Sequence, residues 1–537
     1  MSNFIKSFNF HFQISFLVLF SFIIFFTGIG DYGLLDKDEP RYAGCALEML
    51  ENNNWIIPKF NFQDRFDKPA LFYWLIIIAY KIFGINAFTS RLPSGICAVL
   101  CVLFTCYVAR VVFGKKTAFI SGIILASSIE FILLGRRAAT DMALCFFFSA
   151  SLYSLFLGYY IKDFKIKILW TILAGVFSGL SVLIKGPVGL ILPLVILTLF
   201  LALRKSFDLR HVKIYFVICL FGILVSLPWY LAVHNATGGQ FTKEFFFEHN
   251  LKRFTSVVGE HPGPFWFYVP VLLSGFMPWT IFFLCSLRFY VSRFFKKIKN
   301  KFISFLMVWF LTVFIFFSVS TTKLPTYIIL LFPAISLITA NWIRIAYRKN
   351  RKLIKVIFTV LLAIIIPSVV CGIYLISKWK IALQIKEILI LKMVILFGLL
   401  LLFYLISLFS AKKIQSLISG VAISIILPFV FGLNLYLVQY YKYSHMELRR
   451  FAELAKSKGV EEIISFGMYR PSLVYYSRTK VNFDDKRKQA KAMKADLHKH
   501  KKIFLIGHSS DISKYSFIRQ NFQILGKGKK YFVAEQH

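Results

Sequence analysis

The sequence predicts a polytopic α-helical membrane protein of about thirteen transmembrane helices, with interfacial helices in the first outer loop and a small C-terminal α/β domain. Three observations carry this. Of 537 residues, 58% are hydrophobic and 17% charged, with mean hydropathy +0.68, which excludes an ordinary water-soluble globular protein. Long apolar runs recur up to residue 440, separated by short loops rich in Lys and Arg. After residue 440 the hydropathy falls, and short apolar runs alternate with polar helical stretches.

A helix needs about 20 mostly apolar residues to cross a hydrocarbon core about 30 Å thick. Residues 12 to 30 supply the first, without the small-residue cleavage pattern of a removed signal peptide. The stretch Leu71 to Phe83 is apolar but short, contains Lys81 and is bounded by Pro69 and Gly84, which predicts an interfacial or re-entrant helix. Further spans are expected near 91 to 113, 117 to 134, 141 to 160, 168 to 184, 187 to 203, 214 to 233, 266 to 287, 302 to 320, 324 to 343, 356 to 377, 387 to 410 and 414 to 440.

Charge fixes the expected orientation. With thirteen spans and a cytoplasmic N-terminus, the short inside loops hold 23 Lys and Arg and the short outside loops 7, the asymmetry of the positive-inside rule. Counting Leu71 to Phe83 as a span would flip every later loop. The formal net charge of +39 is therefore explained by topology and attraction to anionic headgroups rather than by nucleic-acid binding. Eight Cys lie mostly inside apolar runs with no CxxC pair, which argues against disulfides and zinc fingers. The expected division is a membrane domain over 1–440 and an outer α/β domain over 441–537, the latter with 21 Lys and Arg against 9 Asp and Glu.

The unusual polar clusters nearly all fall on the outside face. Asp36-Lys37-Asp38-Glu39-Pro40-Arg41-Tyr42 follows the first span, and Pro40 there opens a helix whose dipole favours Asp38 and Glu39. Phe66-Asp67-Lys68-Pro69 opens the short helix, Arg136-Arg137-Ala138-Ala139-Thr140-Asp141 joins two spans, and Lys185-Gly186-Pro187 interrupts a 36-residue apolar stretch. Glu248-His249-Asn250-Leu251-Lys252-Arg253 places Glu248 with Lys252 and His249 with Arg253 at i,i+4 if helical, and Lys323-Leu324-Pro325-Thr326-Tyr327 crowns a later span. Carboxylates at membrane depth are costly without a partner or a task. The cations Lys68, Lys185, Arg253 and Lys323 suit a phosphate or pyrophosphate. Asp38, Glu39, Asp67 and Asp141 suit a base or a divalent metal.

These motifs resemble those of the polyprenyl-phosphate-dependent GT-C glycosyltransferases, and among them the lipid A aminoarabinose transferases, akin to the protein mannosyltransferases. DEPRY (Asp38 to Tyr42) resembles the acidic motif of the first outer loop. FDKP (Phe66 to Pro69) resembles the acidic-Lys-Pro motif, more often written with Glu; here the acid is Asp67, one methylene shorter. RRAATD resembles the second acidic motif, KGP the turn at Lys185, EHxxxRF the loop with His249 and Arg253, and KLPTY the span top bearing Tyr327.

The resemblance implies inverting transfer of a sugar, 4-amino-4-deoxy-L-arabinose or another aminosugar such as galactosamine, from undecaprenyl phosphate to a lipid A phosphate. The place would be the periplasmic face of a bacterial inner membrane. It implies catalytic or acceptor-orienting roles for Asp38, Glu39 and Asp141, and a pocket shaped by Arg41 and Tyr42. Carrier phosphate would be held by Lys68, Arg253, Tyr327, Lys185 and Lys323. Asp67 and His249 would be ligands of a divalent metal, Zn or Mg, with His261 the alternative imidazole. No nucleotide cofactor and no nucleic-acid partner are expected, and the chain is expected to act as a monomer in the bilayer.

Two other readings remain at this point. A protein hydroxyl or another envelope glycan could replace lipid A as acceptor; a hydroxyl would need a base, whereas a phosphate is already an anionic nucleophile. A polyprenyl-lipid transporter or flippase should instead place charges along a path near the midplane.

Overall fold

The computed structural model describes residues 2–252, 262–294, 300–361, 398, 401–402, 404–406, 408, 413–483 and 502–536. Among the described residues, seven helices are long and apolar enough to cross a membrane: Ala87–Phe113, Thr140–Tyr160, Phe164–Lys185, His211–Ala236, Lys301–Val319, Pro325–Lys349 and Ile414–Ser444. Shorter apolar helices cover His11–Phe26, Leu71–Phe83, Val188–Leu203 and Phe265–Gly275, and the expected spans at 356–377 and 387–410 fall largely outside the described residues. The protein is thus a multi-pass membrane protein.

The expected straight span at 117–134 is broken instead. Lys115–Ala126 and Ile129–Gly135 meet at 66°. The cause is local: Ser127 and Ser128 turn their hydroxyls back onto the Ile123 and Ile124 carbonyls, which weakens the helical ladder and bends it. The amide of Ile129, freed by the break, donates to the Met277 carbonyl at 3.1 Å, and Trp279 Nε1 donates to Ser127 Oγ at 2.9 Å. The partner segment is itself interrupted, because Pro278 lies between the helices Tyr268–Gly275 and Thr280–Phe294.

The first outer loop is a compact unit. Helix Asp38–Glu51 places Asp38 and Glu39 in its first turn, and an antiparallel pair follows, β1 (Lys59–Phe60) with β2 (Gln63–Asp64). Its two-residue turn needs left-handed backbone at Asn61 and Phe62 (φ 58° and 62°). Glu48 holds that turn by accepting from both amides, at 2.6 and 3.0 Å. Helix Leu71–Phe83 then runs between the expected Pro69 and Gly84 boundaries.

The C-terminal sheet has the order β4-β3-β5-β7-β6, built from β3 (Glu462–Ser465), β4 (Lys480–Asn482), β5 (Ile503–His508), β6 (Phe522–Lys527) and β7 (Tyr531–Gln536). Strand β3 is parallel to β4 and β5, and β7 antiparallel to β5 and β6. Alternation along the strands feeds two cores: Ile463, Phe504, Ile506 and Val533 on one face, Ile464, Leu505, Phe532 and Ala534 on the other. The apolar run Leu473 to Tyr476 is helical. Pro471 starts helix Ser472–Ser477 there, and Tyr475 joins the core of the membrane domain.

This sheet domain docks on the first outer loop. Asp36 accepts from the Ser472 amide at 2.8 Å and its hydroxyl at 2.7 Å, and Tyr476 accepts from the Leu34 amide at 2.9 Å. Asn61 exchanges two 2.8 Å bonds with the backbone of Val481, extending the β4 edge as a strand would.

Candidate active site

Separate segments of the chain reach one cavity. It has a volume of about 100 Å³, and its polar lining includes Asp67 and Lys68, Asp141, Lys185, His249, Ser320, and Thr326 with Tyr327. The helix architecture explains the convergence. Asp141 lies in the first turn of Thr140–Tyr160, Lys185 in the last turn of Phe164–Lys185, and Tyr327 in the 3-10 turn Pro325–Leu331. Gly186, at φ 97°, lets the chain reverse straight after Lys185, so two helices meet where a longer one would have carried the lysine away.

Lys185 Nζ donates to Asp141 Oδ1 at 2.7 Å and lies 4.7 Å from the centre of the Tyr327 ring. Both members of the pair remain partly open to the cavity, at 18% and 15% exposure. Lys68 is buried and donates to the carbonyl of Asp67 at 2.7 Å. Its place on the cavity wall is set by the turn that opens helix Leu71–Phe83.

Asp67 is gripped by Arg65, a residue that pattern reading missed. Arg65 Nε and Nη2 donate to the two carboxylate oxygens at 2.6 and 2.9 Å, and its Nη1 donates to the Arg41 carbonyl at 2.8 Å. The guanidinium also lies 5.2 Å from the Tyr42 ring centre. Burial alone would raise the Asp67 carboxyl, but Arg65 and then Lys68 outweigh it and hold the group well below the usual carboxylate range. An Arg two residues from an Asp in a turn was the available signal.

Glu39 stands apart from the cavity. It is 1% exposed and accepts from Arg91 at 2.6 and 2.8 Å, from the Leu35 amide at 2.9 Å and from the Ala138 amide at 3.0 Å. Arg91 in turn donates to the carbonyls of Ile29, Tyr32 and Gly33. The pair ties the first outer loop to the start of the Ala87–Phe113 helix and to the segment carrying Asp141. Arg91 stands at the start of the apolar run 91 to 113, where a charge demands a partner.

Asp38 is half-exposed, bonded to Arg41 and 3.6 Å from Arg137. Arg137 also acts electrostatically on Asp141, so one cation lies between the two acidic motifs. Tyr42 is buried beneath Arg65 and beside Phe72 and Tyr73. Lys323 is buried, donates to the Ser318 and Ser320 carbonyls at 2.7 Å and does not line the cavity. His249 lies in the π-helical turn Glu244–Leu251 and lines the cavity, and the expected i,i+4 pair of Lys252 with Glu248 forms at 2.8 Å. Arg253 and His261 lie outside the described residues.

The donor set does not fit a divalent metal. Of the three possible ligands that line the cavity, Asp67, Asp141 and His249, both carboxylates are committed to cations: the two oxygens of Asp67 accept from Arg65, and Asp141 is paired with Lys185. Among the described residues no three His, Cys, Asp or Glu side chains gather as a metal site. What the cavity offers is two lysines and a tyrosine converging on a space the size of a small anion, which suits a phosphate group.

Comparison with known proteins agrees with this reading of the fold. Residues 67–229 match the family described as dolichyl-phosphate-mannose-protein mannosyltransferase. An uncharacterized protein of Aquifex aeolicus is 32% identical over 63% of this chain and 65% of its own length. A Proteus mirabilis protein named undecaprenyl phosphate-alpha-4-amino-4-deoxy-L-arabinose arabinosyl transferase 2 is 30% identical over 61% of this chain and 58% of its own length. The chain therefore spans less than two thirds of either relative. The crystal structure of ArnT from Cupriavidus metallidurans bound to undecaprenyl phosphate superposes with a TM-score of 0.79, at 17% identity and 97% coverage of both chains. The resemblance drawn from the motifs is thereby borne out: the chain has the GT-C fold of ArnT over nearly its whole length and is related in sequence to the undecaprenyl-phosphate aminoarabinose transferases.

Proposed function

We propose that this protein is an inverting glycosyltransferase that moves an aminosugar, of the aminoarabinose or galactosamine class, from undecaprenyl phosphate to a lipid A phosphate at the periplasmic face of the inner membrane. The observation that carries the reading is the cavity where Lys68, Lys185 and Tyr327 converge beside Asp141. In this reading the acceptor phosphate oxygen attacks the anomeric carbon, and the bond from that carbon to the carrier phosphate breaks. Undecaprenyl phosphate leaves with one additional negative charge, and the acceptor phosphate loses one.

The residues divide the work by what they can stabilise. Lys68 and Lys185 face the charge that builds on the departing phosphate, and Tyr327 offers its hydroxyl to the same group. Asp141, ionised and held by Lys185, orients the acceptor and steadies positive charge developing on the sugar ring. Asp38, which is bonded to Arg41 and lies 3.6 Å from Arg137, serves as an acceptor-orienting group in this reading. Glu39 acts as a positioning residue through Arg91. A phosphate acceptor needs no general base, which accords with carboxylates committed to cations.

The family matched at residues 67–229 favours a second reading, in which a protein hydroxyl is the acceptor. One experiment separates the two. Lipid A from cells with and without the gene is compared by mass spectrometry. A gene-dependent pentosamine or hexosamine on a phosphate is expected; unchanged lipid A together with a gene-dependent glycoprotein would reassign the acceptor.

A further inference from the structure

A second basic cavity lies at the other end of the bundle. It has a volume of about 670 Å³ and is lined by Lys116, Arg344, Arg348, Arg351 and Lys413, with no carboxylate among its lining residues. The helices that bring the cations do so at their ends remote from the candidate active site. Lys116 opens Lys115–Ala126, whose continuation leads to Arg137 and Asp141. Arg344 and Arg348 lie toward the end of Phe332–Lys349, which follows directly on the 3-10 turn that carries Tyr327. Lys413 caps Ile414–Ser444, whose far end meets Asp36. Eighteen residues of helix place the two ends roughly 27 Å apart.

Among the described residues, no acidic side chain pairs with these cations. Arg344 Nη2 donates to Asn341 at 2.9 Å, while its buried Nε has no hydrogen-bond partner. Arg351 lies 5.4 Å from the Tyr347 ring centre. Five like charges around one concavity repel one another unless an anion sits among them. Phe12, Phe16 and Phe119 supply an apolar wall beside the charges, and Phe12 is 68% exposed. Cations on one side and an aromatic wall with an exposed Phe12 on the other match an amphiphile with an anionic head. The short loops on this side are the basic ones, so the leaflet is the cytoplasmic one by the positive-inside rule.

We propose that this cavity is a binding site for an anionic phospholipid headgroup of the cytoplasmic leaflet, one carrying more than a single phosphate charge. It stands independently of the transfer reaction proposed for the other face. A doubly charged headgroup uses the five cations better than a singly charged one, and its acyl chains lie along the apolar wall. The bound lipid would fasten the ends of helices that are distant in sequence.

The test is native mass spectrometry of the full chain released from nanodiscs of phosphatidylethanolamine with added cardiolipin, phosphatidylglycerol or soluble pyrophosphate. We expect one retained cardiolipin, weaker retention of phosphatidylglycerol, and affinity falling on the order of 10²-fold in R348Q/R351Q/K413Q. The charge-conserving R348K/R351K serves as the folding control and should keep the lipid. Equal retention by wild type and the neutral variant would overturn the site. Saturable pyrophosphate binding without lipid preference would overturn its lipid identity.

Discussion

Asp141 and Lys185 meet at 2.7 Å across the ends of two helices, 44 residues apart in the chain, and Tyr327 from a third element lies over the same lysine. An isolated Asp or Lys at this depth would carry a large desolvation cost, and the pair offsets it while leaving both groups in contact with the cavity. The ammonium has further donors to offer an arriving phosphate.

If Lys185 stabilises the departing phosphate, Lys185→Met should lower the rate of transfer on the order of 10² to 10³-fold. Lys185→Arg should recover part of that loss, because charge is retained while point geometry is not. Transfer in isolated membranes, normalised to folded protein, reads the effect. A Lys185→Met variant with undiminished turnover would remove the lysine from the site.

Glu39 and Arg91 form the most enclosed ion pair among the described residues, at 1% and 0% exposure. Burial alone would raise the Glu39 carboxyl; Arg91 outweighs it, and the group is held below its usual value. Breaking such a pair from one side leaves a buried charge without compensation, at a cost of about 3 to 5 kcal/mol. Glu39→Gln should therefore lower thermal stability and folded yield, with transfer falling in proportion. A variant as stable as wild type yet devoid of transfer would instead place Glu39 among the reacting carboxylates.

Docking of the sheet domain should weaken in acid. His445 is buried, and this burial, with Arg470 and Lys530 nearby, lowers its pKa from 6.5 to about 4. Its Nε2 accepts from the Asp36 amide at 3.3 Å, as a neutral ring does. Between those two values the unfolded state binds more protons than the folded one, so stability falls as pH drops from about 6.5 toward 4. The shift corresponds to on the order of 3 kcal/mol at the lower limit. Asp36, raised chiefly by burial, opposes this over the carboxylate range. Thermal unfolding and limited proteolysis across pH 4.5 to 7.5 should show the loss, and His445→Gln should flatten it.

Much of the architecture was legible because breakers mark it. Pro69 and Gly84 bounded Leu71–Phe83, and Gly186 and Pro187 split two helices, as their backbone preferences require. The cavity residues were legible as well, since charge at membrane depth needs a reason, and Asp67, Lys68, Asp141, Lys185 and Tyr327 do converge. What stayed hidden depends on distant partners. Nothing local distinguishes Glu39, locked to Arg91 at a separation of 52 residues, from Asp38 beside it, which faces solvent. The short run Leu473 to Tyr476 is ambiguous between strand and helix by periodicity alone, and only distant contacts decide, such as the Leu34 amide donating to the Tyr476 hydroxyl. The bend at Ser127 and Ser128 likewise needs the Met277 carbonyl, which sequence spacing does not reveal.

The Arg65 fork makes a prediction about metal dependence. A divalent ion recruited to Asp67 would have to displace a bidentate guanidinium from both oxygens and lie near Lys68 as well. Chelation of membranes with EDTA should therefore leave transfer unchanged. Asp67→Asn removes the counter-charge of Arg65 while preserving shape, and it should lower transfer by roughly 10 to 100-fold by loosening the turn that presents Lys68. Because Arg65 and Lys68 hold the carboxyl well below its usual range, Asp67 stays ionised from pH 5 to 8 and should add no titration to the transfer rate in that window. EDTA-sensitive transfer restored by added Zn or Mg would show that the fork opens in the working enzyme and that Asp67 is a metal ligand after all.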